Sequence, residues 1–222
     1  MQRARFFVFA CAALCLIVAR AQAAFTVQFV EVPITPAAVT SDPTLANMQT
    51  WSIQVDYSEG NWASGGLRMQ LPAGNAFYHQ TPFGGNTKPS PALVAAFPSV
   101  AYDTYVTSPR DLGGGTNAPA ILGPFPENQP PQSFGGASDP LPGVFSVSWG
   151  DPQATQGPTS GNDVEIARLT FPRSIPLGSL AASTMGQTST VNPSVTIPIV
   201  IPEPGMLGLA AAAGLLAIRR RK

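Results

Sequence analysis

Between residues 25 and 201 apolar and polar residues alternate singly, the spacing of strands that bury one face and wet the other. Phe25, Val27 and Phe29 alternate with Thr26 and Gln28. Trp51-Ser-Ile53-Gln-Val55-Asp-Tyr57 puts four apolar side chains on one face, and Leu67, Met69 and Leu71 repeat the pattern around Arg68 and Gln70. Val100 to Thr107, Phe145-Ser-Val147-Ser-Trp149, Val164 to Phe171 and Val195 to Ile201 complete seven short strands separated by Gly/Pro turns. One short helix is expected, from Pro91 to Phe97, with Ser90 as N-cap, Pro91 in the first turn and Pro98 as its stop. Many short strands and almost no helix predict an all-β fold, an antiparallel β-sandwich. Its expected core is Phe25, Val27, Trp51, Ile53, Val55, Leu67, Met69, Phe145, Val147, Trp149, Ile166 and Leu169. Ile166 and Leu169 are out of phase for a plain strand, so either one of them does not belong to the core or a β-bulge intervenes.

Two stretches break the alternation. Residues 111–143 hold seven glycines and seven prolines, and read as a long, loosely draped loop outside the core. Residues 172–192 are rich in Ser, Thr and Pro; the segment 172–201 reads as one last strand and a stalk.

The two ends carry a different pattern. Arg3 and Arg5 precede an apolar run from Phe6 to Ala19, and Ala21-Gln22-Ala23 forms an A-x-A cleavage site. Residues 1–23 are therefore expected to be a signal helix removed by signal peptidase after Sec-type export, leaving Ala24 as the mature N-terminus. At the other end Pro202-Glu203-Pro204 is followed by an uncharged run from Gly205 to Ile218 and then by Arg219, Arg220, Arg221 and Lys222. As a helix, that run would span about 21 Å at ~1.5 Å per residue, against a hydrocarbon core of ~30 Å. It would hold a membrane only weakly, with the basic end kept on the cytoplasmic side.

This three-part tail resembles the PEP-CTERM sorting signal. Pro202, Glu203 and Pro204 match the tripeptide, 205–218 the hydrophobic helix, and Arg219 to Arg221 the basic cluster. The resemblance implies exosortase, a membrane-embedded cysteine protease, as a partner that cuts near the tripeptide. It also implies a transient membrane anchor through 205–218, followed by display at the cell surface or release. The body, over Trp51 to Tyr78 and Val164-Glu-Ile-Ala-Arg-Leu-Thr-Phe171, is similar to cohesin-like and carbohydrate-binding sandwiches. The expected organisation is thus a jelly-roll or cohesin-like sandwich over 24–171, flanked by an N-terminal signal helix and a C-terminal hydrophobic helix. The segment 172–201 leads from it to the sorting tail 202–222.

Removing the signal peptide changes the composition that matters. Cys11 and Cys15 leave with it, so the exported part has no thiol and no disulfide. From 25 to 201 five basic side chains face eleven acidic ones, a net charge of −6 where the whole chain sums to zero. Such a body disfavours nucleic acid and anionic lipid as partners.

Little of the sequence carries chemistry. His79 is the single histidine and no cysteine remains, so neither a zinc cluster nor any other cofactor or metal site is expected. No G-x-S-x-G turn presents a nucleophile for His79, which reads as a strand-edge residue. Gly65-Gly66, Gly84-Gly85 and Gly113-Gly114-Gly115 lack the G-K-[ST] of a phosphate loop and read as turns. Asp163 and Glu165 share a strand face; a calcium site there would lack any twelve-residue loop, and a solvated face is expected instead. Among the aromatics, Trp51, Trp62, Trp149, Tyr57, Tyr78, Tyr102 and Tyr105 offer the material of a sugar-stacking platform. Trp51 and Trp149 are in phase with the core, whereas Trp62 follows a Gly60-Asn61 turn and is the expected exposed ring. No catalytic residues are assigned. The expectation is a non-enzymatic structural or adhesive surface protein, with an exopolysaccharide-binding module and a hydrolase with an unmarked carboxylate pair as the alternatives.

Overall fold

A computed structural model describes residues 25–58, 60–125, 131–188 and 195–198. Ala21, Ala23, Ala24, the tripeptide Pro202-Glu203-Pro204, the run 205–218 and the basic end Arg219, Arg220, Arg221 and Lys222 lie outside the described residues, as does the side chain of Phe25.

The described chain is mostly strand, with few and short helices. The strands are β1 (Phe25–Val32), β2 (Met48–Tyr57), β3 (Trp62–Gln70), β4 (Tyr105–Val106) and β5 (Ala120–Gly123). They continue with β6 (Ser133–Phe134), β7 (Val144–Gly150), β8 (Gly161–Pro172), β9 (Ala181–Thr188) and β10 (Val195–Pro198). Two helices, α1 (Pro36–Ser41) and α2 (Pro91–Ala96), are capped by Thr35 and Ser90, whose side chains accept from Ala38 N and Leu93 N. The strands form two sheets, ordered β1-β2-β8-β4 and β10-β9-β3-β7-β5, with β6 added on β7. All pairings between these described strands are antiparallel.

The alternation decides what these sheets bury. Ile53, Val55 and Tyr57 of β2 and Leu169 and Phe171 of β8 join Leu67 and Met69 of β3 and Phe145, Val147 and Trp149 of β7 in one hydrophobic cluster fed by both sheets. On β8 the register slips between Ile53↔Ala167 and Gln54↔Glu165, leaving Ile166 unpaired. Of the two ways to resolve the phase mismatch the structure has the bulge, which lets Ile166 and Leu169 both be fully buried. Val27 and Trp51 are less enclosed than expected and pack on the rim of the cluster.

The first sheet is covered on its other face as well. Thr50 and Thr170 share a 2.8 Å hydroxyl hydrogen bond there, Thr170 N donates to Thr104 Oγ1 and Tyr78 N donates to Thr170 O. A second, smaller cluster of Ala38, Leu45, Tyr78 and Tyr102 lies over this side.

Three expectations are corrected. Residues 100–107 are not one strand: Pro98 opens a 3₁₀ turn, Pro98–Tyr102, and only Tyr105–Val106 pairs, because Val100 N and Asp103 N donate back within the turn. The Gly/Pro-rich loop 111–143 is not outside the core. It supplies β5 and β6 to β7, buries Phe125, and sets Phe134 edge-on to Phe145 at 5.5 Å in the main cluster. Its backbone donors are taken by carboxylates, Gly113 N by Asp111 and Gly136 N by Asp139, so its glycines make fixed turns. The segment 172–201 has its expected last strand, as β10 within Val195 to Ile201, but the part expected as a stalk supplies another strand, β9, which lies inside the second sheet between β10 and β3. Ser and Thr serve as strand residues, and β9 pairs with β3 over Trp62 to Gln70.

Candidate functional site

Trp62, the expected exposed ring, is only 2% exposed. The β3–β9 register slips between Trp62↔Thr188 and Ser64↔Gln187, so Ala63 is an extra residue and Trp62 is brought into phase with Gly65, Leu67 and Met69. A Cβ on Gly65 would stand 3.1–3.2 Å from both the Trp62 and Trp149 rings, which places the two indoles over the same glycine. The four tyrosines Tyr57, Tyr78, Tyr102 and Tyr105 are buried too. None of the rings proposed for sugar stacking is exposed except the partly covered Trp51, whose Nε1 donates to Gln49 Oε1.

The carboxylates expected on a solvated face part company. Glu165 accepts from Ser52 Oγ and Arg168 Nη2, both at 2.6 Å, and from Tyr105 Oη at 2.9 Å, while Arg168 Nη1 donates to the Ala101 carbonyl. Burial opposes the charge on Arg168, but Tyr105 and Glu165 outweigh it and hold its pKa above the ordinary value. Glu165 is therefore a structural partner of Arg168 and is withdrawn from any metal role. Asp163 is exposed and accepts from Gln28 Nε2. Among the described residues no group of His, Cys, Asp and Glu is arranged to hold a metal.

His79 is half enclosed, not a free strand edge. Its Nδ1 lies 3.3 Å from Asp103 Oδ1 and its Nε2 lies 3.4 Å from the Phe134 carbonyl oxygen. Carboxylate and carbonyl oxygens only accept, so both ring nitrogens are called on to donate. Burial alone would lower its pKa. The bond and charge of Asp103, the Phe134 carbonyl and the charge of Asp139 outweigh that and raise it. Its Nε2 is turned to a backbone carbonyl, and the ring ties the segment 133–136 to the loop that follows His79.

That loop is the most constructed surface feature of the described chain. Asp103, 1% exposed, accepts from Gln80 N and Thr104 N through Oδ1 and from Gly85 N through Oδ2. Gln80 Oε1 accepts from Phe83 N, and the Gln80 carbonyl accepts from Gly84 N. Residue 84 must be glycine, because a Cβ there would overlap both Asp103 Oδ2 and the Gln80 carbonyl. The result is Phe83 held out from the surface, 42% exposed, with its ring stacked on Phe97 at 4.2 Å between centroids and 25° between planes. Phe97 is fixed in turn: its N–H caps α2 by donating to Leu93 O, and its carbonyl accepts from Val100 N in the next turn. Phe97 is 36% exposed, and this pair holds the large aromatic exposure of the described residues.

Alternation could not find these two rings, since neither belongs to a strand. The available signal was an aromatic beside Pro82 and Gly84-Gly85 and another directly before Pro98, where the turn, not burial, sets the direction of the side chain. Among the described residues no helix is long and apolar enough to cross a membrane. Compared with known proteins, the chain matches no family model, no curated protein and no solved structure.

Proposed function

We propose that this chain is an exported protein of the cell surface or extracellular matrix, sorted by its segment Pro202–Lys222, with a non-catalytic body whose two sheets form a β-sandwich. The observation that carries the reading is the order within that segment: a Pro-Glu-Pro tripeptide, an uncharged Gly/Ala/Leu run and four consecutive basic residues. In this reading the prolines on both sides of Glu203 disfavour helix there, which suits the extended form a protease engages. The signal peptide reading of residues 1–23 supplies the matching export step. For the body, a hydrophobic cluster drawn from both sheets supports the sandwich. At His79 the Nε2 that a general base would use faces the Phe134 carbonyl and not a hydroxyl, which supports a structural role for the ring. In this reading the partners are the Sec-type export machinery, signal peptidase and exosortase. The membrane is engaged only through 205–218 before cutting.

The test is to delete Arg219 to Lys222 and follow the protein by cell fractionation. The reading expects uncut or misplaced protein, because the basic end stops the weak apolar run from slipping through the membrane. A deletion variant that reaches the surface as efficiently as the wild type contradicts it.

A further inference from the structure

We infer that the stacked pair Phe83–Phe97 is a binding platform for a neutral polysaccharide, the sugar rings lying on the exposed aromatic surface. The inference rests on the surface-protein reading above only for its setting; the site is argued from the body alone.

Exposed rings cost solvation, and a pair that merely failed to be buried would not be held by so many bonds. Here a buried carboxylate accepts two backbone N–H groups of the loop 80–85, at Gln80 and Gly85, and Gln80 fixes Phe83 directly. The helix end at Phe97 is fixed from both sides. A rigid aromatic pair loses little entropy when a ligand settles on it, which is the property a stacking platform needs.

Charge and size select the occupant. From residue 80 to residue 102 the one charged side chain is Lys88, in a body carrying a net charge of −6. A patch without charge gives no reward to a polyanion, and the surrounding acidity repels one. Taking ~200 Å² per aromatic side chain, the exposed part of the two rings is roughly 150 Å². A stable protein partner needs about 800 Å² per side. Because the two rings cover each other's inner faces, the outer aromatic surface left to the pair matches the apolar face of one sugar unit, and the exposed Thr81 and Asn86, two and three residues from Phe83 in the chain, carry hydrogen-bonding groups for hydroxyls.

The experiment is affinity gel electrophoresis of the full chain in mild detergent, with soluble neutral glucans, mannans and galactans in the gel and alginate as the acidic control. At least one neutral polysaccharide should retard the wild type. The double variant Phe83→Ser, Phe97→Ser should weaken that retardation about tenfold or more, while Phe83→Trp keeps it. The double variant should still unfold in one cooperative transition, at a lower temperature than the wild type, so loss of binding is not loss of fold. The inference is overturned if no neutral polysaccharide retards the protein, if the double variant binds unchanged, or if alginate competes through the same two rings. It is also overturned if gel filtration shows a wild-type dimer that the double variant breaks, which would make the patch a contact between copies. Processing of the tail, read by mass in the same cells, is untouched by these substitutions and fails or holds separately.

Discussion

The chain contains two aromatic pairs with opposite fates. Trp62 and Trp149 meet over Gly65 inside the sheet core, each 2% exposed or less. Phe83 and Phe97 meet at the surface, at 42% and 36%. Indole is the more amphipathic ring and phenyl the more apolar, so residue type alone would assign them the other way round. Position decides instead. A strand places every second side chain in the core whatever its polarity, and a bulge at Ala63 carries Trp62 into that phase. A turn pinned by backbone hydrogen bonds points its side chain outward, however apolar it is.

The contrast can be broken most severely from the inside. Trp149→Ala should cost about 3–5 kcal/mol in denaturant unfolding, since the side chain is fully buried and a cavity would open between the sheets. Within the core pair a finer difference is expected. Trp149 Nε1 donates to the Thr107 carbonyl at 2.9 Å, whereas the buried Trp62 Nε1 has no hydrogen-bond partner. Trp149→Phe should therefore cost about 1–3 kcal/mol, and Trp62→Phe clearly less, because it removes a donor that burial already leaves unpaid. Equal costs for the two changes would show that the indole hydrogen bond contributes nothing.

His79 links the outer loop to the core and gives a pH-dependent effect. Its folded pKa is raised above the ordinary value of about 6.5, so its stabilising contribution is complete below that pH. It is lost as pH rises through the raised folded value. The stability of wild type relative to His79→Gln should fall over that alkaline-going window; a difference that is flat with pH would remove the imidazolium. The surface pair should matter less than the core pair: Phe83→Ser should cost about 1–2 kcal/mol, because the ring is more than half covered and stacks on Phe97. A larger loss would mean that the stacked rings hold the fold together and do not merely sit on it.

Much of the fold is legible because alternation survives in β2, β7 and β8, whose apolar positions turn to the main cluster. Even the bulge at Ile166 shows in the sequence, as two apolar residues that no single strand phase can bury together. What escapes is pairing that depends on a neighbour. β5 and β6 are short and rich in turn residues, and they become strands only because β7 offers its ladder. β9 has Ser and Thr where a core strand would show Val and Ile, and its place beside β3 is a matter of tertiary pairing. The candidate site was less legible still. Trp62 was misplaced by one extra residue in β3, and the platform rests on Asp103, which stands 20 residues beyond Phe83 in the chain. Such a support is visible only once the loop is folded.

The most direct test of the proposed function is the intact mass of the protein recovered from the cell surface or medium, for wild type and for Glu203→Ala. Sorting by the tail predicts a wild-type chain beginning at Ala24 and ending near Pro202-Glu203-Pro204, with the variant retained as a longer, uncut form. A surface protein of identical mass in both, still carrying Arg219 to Lys222, would contradict it.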